Sequence, residues 1–123
     1  MPKSVLLAES NAYLLEVLSG LLSASGYTVV GETTRQSEVA ELARALKPDL
    51  IVYDFCLSSD GMAGLSELNT LKAERPEMKI LVLGFQDATD EYVAAIIKSG
   101  CDAFWNKFES QAGLMKTLKG LLP

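Results

Sequence analysis

The nine residues PDLIVYDFC, at positions 48–56, decide the fold because they join an uninterrupted apolar run to a charge directly behind it. Leu50 to Tyr53 are all apolar or aromatic, which is typical of a strand buried on both faces of a parallel sheet. Asp54 then places a carboxylate at the exit of this strand. Because an unpaired charge there is costly, we expect other groups at the same edge of the sheet to interact with this carboxylate.

Five strand-like runs alternate with five segments of helical periodicity along the whole chain. We predict strands at 4–8, 28–31, 49–54, 79–84 and 102–106. The first helix is predicted to begin at Ser10 or Asn11 and to end at Gly26. The second should end at Pro48, the third before Pro76 and the fourth, which should begin within the acidic segment 87–90, at Gly100. The apolar positions predicted to face the core from the second to fifth helices are Val39, Leu42, Ala43, Leu46, Leu65, Leu68, Leu71, Val93, Ile96, Ile97, Leu114, Leu118 and Leu121.

The strict alternation predicts one α/β domain over residues 1–123, with a parallel sheet covered by helices on both faces. Alternation by itself is compatible with a six-strand dinucleotide-binding order. Five strands favour the flavodoxin-like order 2-1-3-4-5, a (βα)5 three-layer sandwich. In that order ligands bind at the carboxyl ends of the strands, at the topological switch point between the first and third strands.

The composition excludes several classes of function. The 123 residues carry a net charge of −5 and contain no histidine, so direct binding of nucleic acid, catalysis by histidine and most histidine-containing metal sites are not expected. The apolar runs are far shorter than the ~20 residues of a membrane span, and the first residues lack the features of a signal peptide. Cys56 and Cys101 are isolated, which favours a reduced, cytoplasmic location.

Polar residues collect where the predicted strands end. Glu9 and Ser10 follow the first strand, Asp54 ends the third, Gly84 ends the fourth and Lys107 follows the fifth. Two interpretations stay open on this basis. In the first, Lys107 forms only a salt bridge with Glu9 or Asp54. In the second, the acids bind Mg²⁺, Asp54 attacks a phosphoryl group, and Lys107 neutralises the oxygens of that group.

Several segments closely resemble the receiver domain of bacterial two-component response regulators, in particular the NarL/LuxR-type branch. They are SVLLAESNAYLLEVLSGLL, GYTVVGET, LARALKPDLIVYD and RPEMKILVLGFQDATDEYVAAIIKSGCDAFWNK, and the resemblance runs from about Ser4 to Leu122. It implies a signalling module rather than an enzyme. It also implies that Asp54 accepts a phosphoryl group from a sensor histidine kinase, that Lys107 is the lysine of the family site, and that Glu9, Asp54 and the backbone carbonyl of Cys56 bind Mg²⁺.

The resemblance further implies how a signal would leave the domain. The switch positions fall at Gly84 and Phe104. The face formed by the fourth helix, fifth strand and fifth helix would then bind a second copy or another partner, unless its apolar residues simply pack in the core; these are Tyr92, Val93, Ala94, Phe104, Trp105 and Phe108. In a NarL-type protein a helix-turn-helix domain would follow Pro123 and would make any DNA contact.

The sequence departs from the family pattern at functional positions. Ser10 replaces the second of two acidic residues, so we expect weak Mg²⁺ binding. Gly84 replaces a threonine or serine, and Phe104 has no phenolic hydroxyl. Phe108 stands where a proline usually follows the lysine, which removes the reason to expect a cis peptide bond.

The loop between Asp54 and the Met62-Ala63-Gly64 motif is two residues longer than usual. It predicts either a solvated turn with Asp60 and Gly61 at its tip, or a carboxylate from Asp60 that folds back to replace the one missing at Ser10. Two functional hypotheses follow: a receiver phosphorylated on Asp54, and an atypical receiver that binds partners independently of phosphorylation. A third, a small α/β enzyme, lacks a catalytic set.

Overall fold

The structure of the chain is a computed structural model that describes residues 3–85, 91–107 and 109–122, without the side chain of Tyr92. Ten elements alternate along these described ranges, as the periodicity predicts. They are β1 (Ser4–Ala8), α1 (Ala12–Ala24), β2 (Thr28–Thr33), α2 (Gln36–Leu46), β3 (Leu50–Asp54), α3 (Gly61–Glu74), β4 (Lys79–Gly84), α4 (Glu91–Lys98), β5 (Ala103–Asn106) and α5 (Gln111–Leu121).

The boundaries differ slightly from the predicted ones. β2 extends two residues further, to Thr33, while β3 and β5 each begin one residue later than predicted. The predicted start of α4, within 87–90, lies outside the described residues. No helix in the described part of the chain is long and apolar enough to cross a bilayer.

The five strands form one parallel sheet in the order β2-β1-β3-β4-β5, which confirms the predicted flavodoxin-like arrangement. Ala8 of β1 pairs with Tyr53 of β3, and Gly84 of β4 pairs with Asn106 of β5. The residues that follow these pairs therefore leave the sheet along one edge. This register brings the predicted site residues together.

The sheet separates two apolar cores, and alternate residues of β3 serve each of them. Ile51 and Tyr53 face α2, α3 and α4, whereas Leu50 and Val52 face α1 and α5. All four are at most 2% exposed. The uninterrupted apolar run is therefore explained by a strand that is covered on both sides.

Helix ends follow the predicted signals. The side chain of Asn11 accepts a hydrogen bond from the Leu14 amide, 3.0 Å away, and so caps α1. Gly26 and Gly100, beyond the ends of α1 and α4, have φ angles of 93° and 113° that favour glycine. Pro48 follows Lys47, which ends α2 in the left-handed conformation.

Two apolar positions predicted to lie in the core are at the surface. Ile97 is 48% exposed, because its neighbour Ile96 already faces the sheet and adjacent helical residues point about 100° apart. Leu46, the last residue of α2, is 37% exposed. Trp105 is buried among the residues of α1 and α5, which agrees with the second of the two interpretations given for it, packing in the core.

Candidate functional site

Asp54 lies at the carboxyl end of β3 and is completely buried. Its Oδ1 accepts hydrogen bonds from the Cys56 amide and from Lys107 Nζ, each at 3.0 Å. Its Oδ2 accepts one from the Ser10 amide at 3.1 Å and a short one from the Ser10 hydroxyl. Both oxygens are therefore bonded, and the charge at the end of the apolar strand is compensated.

Glu9 is the second buried carboxylate of the site. Its Oε1 lies 2.8 Å from Lys107 Nζ, and its Oε2 accepts a hydrogen bond from the Asn11 amide at 3.0 Å. The side chain of Lys107 is only 5% exposed. Its ammonium group bridges the two acids, so the predicted salt bridge exists with both of them rather than with one.

The charges within this group influence one another. Burial raises the pKa of Glu9, and the neighbouring carboxyl group of Asp54 acts in the same direction. Burial alone would also raise the pKa of Asp54, but its contact with Glu9 and its hydrogen bonds from Ser10, Cys56 and Lys107 together lower it. Burial opposes the ammonium form of Lys107, yet its two acidic partners raise its pKa. Asp54 is therefore ionised at neutral pH, in the form that a nucleophile requires.

A bound Mg²⁺ would have to share the two acids of the site with Lys107. Lys107 already pairs with both Glu9 and Asp54, and Ser10 offers a hydroxyl where a third carboxylate would add charge. No group of three His, Cys, Asp or Glu residues within the described ranges is arranged to hold a metal ion. The metal roles of Glu9, Asp54 and Cys56 stay predictions.

Asp60 does not supply the missing carboxylate. Its Oδ1 accepts hydrogen bonds from the amides of Met62 and Ala63, at 3.1 and 3.2 Å, and thereby caps α3. The hypothesis that Asp60 folds back into the site is wrong, because the first amides of the helix already bind this side chain. The simpler expectation of an Asp-Gly loop tip also needs correction, since Gly61 is the first residue of α3.

The predicted switch positions lie close to the site. Gly84 is buried at the end of β4, and its carbonyl accepts a hydrogen bond from the Lys107 amide at 2.8 Å. Phe104 is half-buried against the core that faces α2, α3 and α4. Their switching roles stay predictions. Phe108, and with it the expectation about a cis peptide bond, lies outside the described residues.

The predicted partner face is partly internal. Val93 and Trp105 are each 5% exposed and pack in the core, as the alternative interpretation expected. Ala94 is exposed and Phe104 half-buried. The side chains of Tyr92 and Phe108 lie outside the described residues.

One residue at the site was not singled out from the sequence. The ring of Phe85, directly after β4, lies with its centroid 4.8 Å from Lys107 Nζ, within the range of a cation–π contact. The signal that could have found it is its position, since it is the first side chain after Gly84.

Comparison with known proteins identifies the class to which this fold and site belong. Residues 5–119 match the response regulator receiver domain, and the chain belongs to that family. It is 33% identical to the nitrate/nitrite response regulator protein NarL of Escherichia coli K12 over 118 residues, which cover 95% of this chain and 53% of NarL. It is 34% identical to the polar-differentiation response regulator DivK of Brucella anthropi over 125 residues, covering 99% and 98%. The chain thus spans about half of NarL and nearly all of DivK.

Solved structures agree on the fold. A LuxR-family two-component response regulator from Aurantimonas sp. SI85-9A1 superimposes with a TM-score of 0.87 at 20% identity, covering 99% of this chain and 86% of that one. The CheX–CheY complex with BeF3 and Mg²⁺ from Borrelia burgdorferi gives 0.86 at 13% identity, covering 100% and 91%. At these identities the likeness establishes the receiver fold alone.

Proposed function

We propose that residues 1–123 form one receiver domain that accepts a phosphoryl group on Asp54 from a sensor histidine kinase in the cytoplasm. The observation that carries this proposal is the environment of Asp54. Its carboxylate is ionised, ends a buried strand, and is held at 3.0 Å by both the Lys107 ammonium and the Cys56 amide. A carboxylate held in one orientation beside a cation is suited to attack phosphorus.

The chemistry that follows uses groups already at the site. An oxygen of Asp54 forms the O–P bond while the P–N bond to the kinase histidine breaks, and the released nitrogen takes up a proton. Lys107 then neutralises the phosphoryl oxygens. The domain acts as a signalling module, and we propose no separate enzymatic activity for it.

We also propose that the same geometry slows the reaction. Asp54 is completely buried, and the Ser10 amide and hydroxyl both donate to its Oδ2. A phosphodonor reaches that oxygen only when the Ser10 hydroxyl turns away. Because Ser10 adds no charge, we also propose that Mg²⁺ binds weakly.

A second candidate is a receiver that binds partners independently of phosphorylation. The specific observation in its favour is that Ser10 and Lys107 satisfy Asp54 without a metal ion, while Gly84 has no hydroxyl to hold a phosphoryl oxygen. Under both candidates we propose that signals leave through the face of α4, β5 and α5, to a second copy or another protein. DNA contact in a longer protein would fall to a separate helix-turn-helix domain.

The test is phosphorylation with acetyl phosphate at increasing Mg²⁺, followed by intact-protein mass spectrometry. We expect the mass to rise by one phosphoryl group, and Asp54→Asn to abolish the rise. Asp60→Asn is the matched control, because this nearby aspartate is exposed and outside the site. Fluorescence of Trp105, the only tryptophan, reports the accompanying change in β5. No mass increase at tens of millimolar Mg²⁺ would favour the second candidate.

A further inference from the structure

Phe85 is in contact with the cation of the site but lies outside the sheet. Its ring centroid is 4.8 Å from Lys107 Nζ. The side chain of Lys107 is 5% exposed, whereas Phe85 is 52% exposed. The ring therefore covers the ammonium group from a position that is itself half open to solvent. A cation at this distance is attracted by the electron-rich face of the ring.

The ammonium group is shared among three partners. Lys107 Nζ lies 2.8 Å from Glu9 and 3.0 Å from Asp54, and it also faces the ring of Phe85. The position of Nζ depends on the balance of charge between the two acids. A change of charge at Asp54 shifts this balance, and the contact with the ring changes with it.

The backbone beside this contact is held firmly up to Gly84. The Lys107 amide donates to the Gly84 carbonyl, and the Phe55 amide donates to the Leu83 carbonyl, both at 2.8 Å. β4 is thus bonded to both neighbouring strands at its end, and Gly84 has no side chain that can respond to the site. Phe85 is the first side chain beyond this bonded edge, where the connection to α4 begins.

We propose that Phe85 is the switch residue of this domain: its ring, held by Lys107, couples the charge at Asp54 to the backbone at the end of β4. When the charge at Asp54 changes, Nζ moves relative to the two acids, the contact between Nζ and the ring changes, and the backbone of Gly84 and Phe85 shifts. This inference rests on the proposed function in one respect, that a change of charge at Asp54 is the signal.

The test asks whether the backbone at the end of β4 responds to Asp54 only when an aromatic face is present at position 85. Asp54→Asn is introduced into the wild type, into Phe85→Tyr and into Phe85→Leu, and the backbone amide signals of Gly84, Phe85 and Glu91 are compared by NMR. We expect clear shifts in the wild type, similar shifts with tyrosine, and loss of more than half of the response with leucine. Equal responses in all three backgrounds, a loss with tyrosine as large as with leucine, or no response in the wild type would each overturn the proposal.

This design separates the switch from phosphorylation itself. Asp54→Asn changes the charge without any phosphodonor, so the response can be present even if acetyl phosphate adds no mass to the wild type. That combination would contradict the proposed phosphorylation and leave the switch standing. Thermal unfolding and Trp105 fluorescence check that each variant is folded. If Phe85→Leu does not fold, Phe85→Met provides the non-aromatic replacement.

Discussion

Ser10 determines how one of the two carboxylate oxygens of Asp54 is hydrogen-bonded. Its amide and its hydroxyl both donate to Oδ2 of Asp54, so one short side chain bonds this oxygen twice. The sequence alone shows that position 10 lacks the carboxylate of the family pattern. It does not predict that the hydroxyl would bond directly to Asp54, because that bond joins residues 44 positions apart.

Replacing Ser10 by aspartate should create a site for Mg²⁺. The variant places three carboxylates against one ammonium, so it should be destabilised without metal and stabilised by Mg²⁺. We expect Mg²⁺ affinity to rise by about 10-fold or more, judged from the effect of lesser changes near metal sites. Isothermal titration calorimetry and the Mg²⁺-dependent shift in melting temperature measure it.

Ser10→Asn is the control for this prediction, since it changes the side chain without adding charge. Titration curves that are the same for the aspartate variant, the asparagine variant and the wild type would show that charge at position 10 does not limit Mg²⁺ binding.

At the scale of elements, the start of α3 shows how a longer loop is accommodated. Asp60 caps the helix, and the two glycines behind it allow close packing on β3 and on the residue that follows it. A Cβ atom on Gly61 would lie 2.5 Å from the ring of Phe55, and one on Gly64 would collide with the hydroxyl oxygen of Tyr53. The two glycines therefore let α3 pack closely over the core, while Asp60 caps the helix outside the site.

Asp60→Ala should destabilise the fold and leave the site unchanged. Loss of the cap leaves two amides of α3 without their partner, which costs about 1 kcal/mol in the free energy of unfolding. Urea denaturation measures this change, and Asp60→Ser should restore most of it because serine also caps helices. If Asp60→Ala lowers Mg²⁺ affinity or phosphorylation by acetyl phosphate, Asp60 contributes to the site after all.

For the whole molecule, acidic side chains also join strands at the edge opposite the site. Oδ2 of Asp49, before β3, accepts hydrogen bonds from the Ser4 amide at 2.8 Å and the Ser4 hydroxyl at 3.1 Å, and so ties β3 to β1. Oδ2 of Asp102 accepts one from the Ile80 amide at 2.8 Å and forms an ion pair with Lys72, which ties β5 to β4 and α3. The two edges thus have different roles, one in the proposed chemistry and one in strand assembly.

The Asp49 contact should make part of the stability depend on pH. Hydrogen bonds from Ser4 lower the pKa of Asp49 in the folded protein, although partial burial opposes them. The ionised form therefore stabilises the fold above the unfolded-state pKa of about 3.9, and this contribution is lost as the pH falls through the lower folded-state value. Asp49→Asn, which keeps an acceptor but no charge, should cost about 1 kcal/mol at pH 7 and progressively less below about pH 4.

Urea denaturation of the wild type and of Asp49→Asn across this pH range measures the difference between them. Glu77→Gln is a control for removing one acidic charge, because Glu77 is largely exposed in its ion pair with Arg75. A difference between wild type and Asp49→Asn that is constant with pH would show that the charge of Asp49 does not contribute.

Much of this architecture was accessible from local patterns. The burial of β3 on both faces and the caps at Asn11, Gly26 and Gly100 are each encoded within a few residues. Together with the alternation of strands and helices, they allowed us to predict the strand order and the edge that carries the site. Errors arose where packing selects between equivalent positions. Ile96 rather than Ile97 faces the sheet, and Asp60 binds the nearest amides rather than a distant site.

The sequence by itself determined that this chain is a flavodoxin-like receiver in which Glu9, Asp54 and Lys107 meet, because the apolar run that ends at Asp54 and the regular alternation allow few other arrangements. The tertiary structure alone decided how those charges are shared. Three contacts depend on distances across four strands: the bond from Ser10 to Oδ2, the bridge of Lys107 between both acids, and the contact of Phe85 with the ammonium group. Such distances are set by the packing of the whole sheet, which no local pattern encodes.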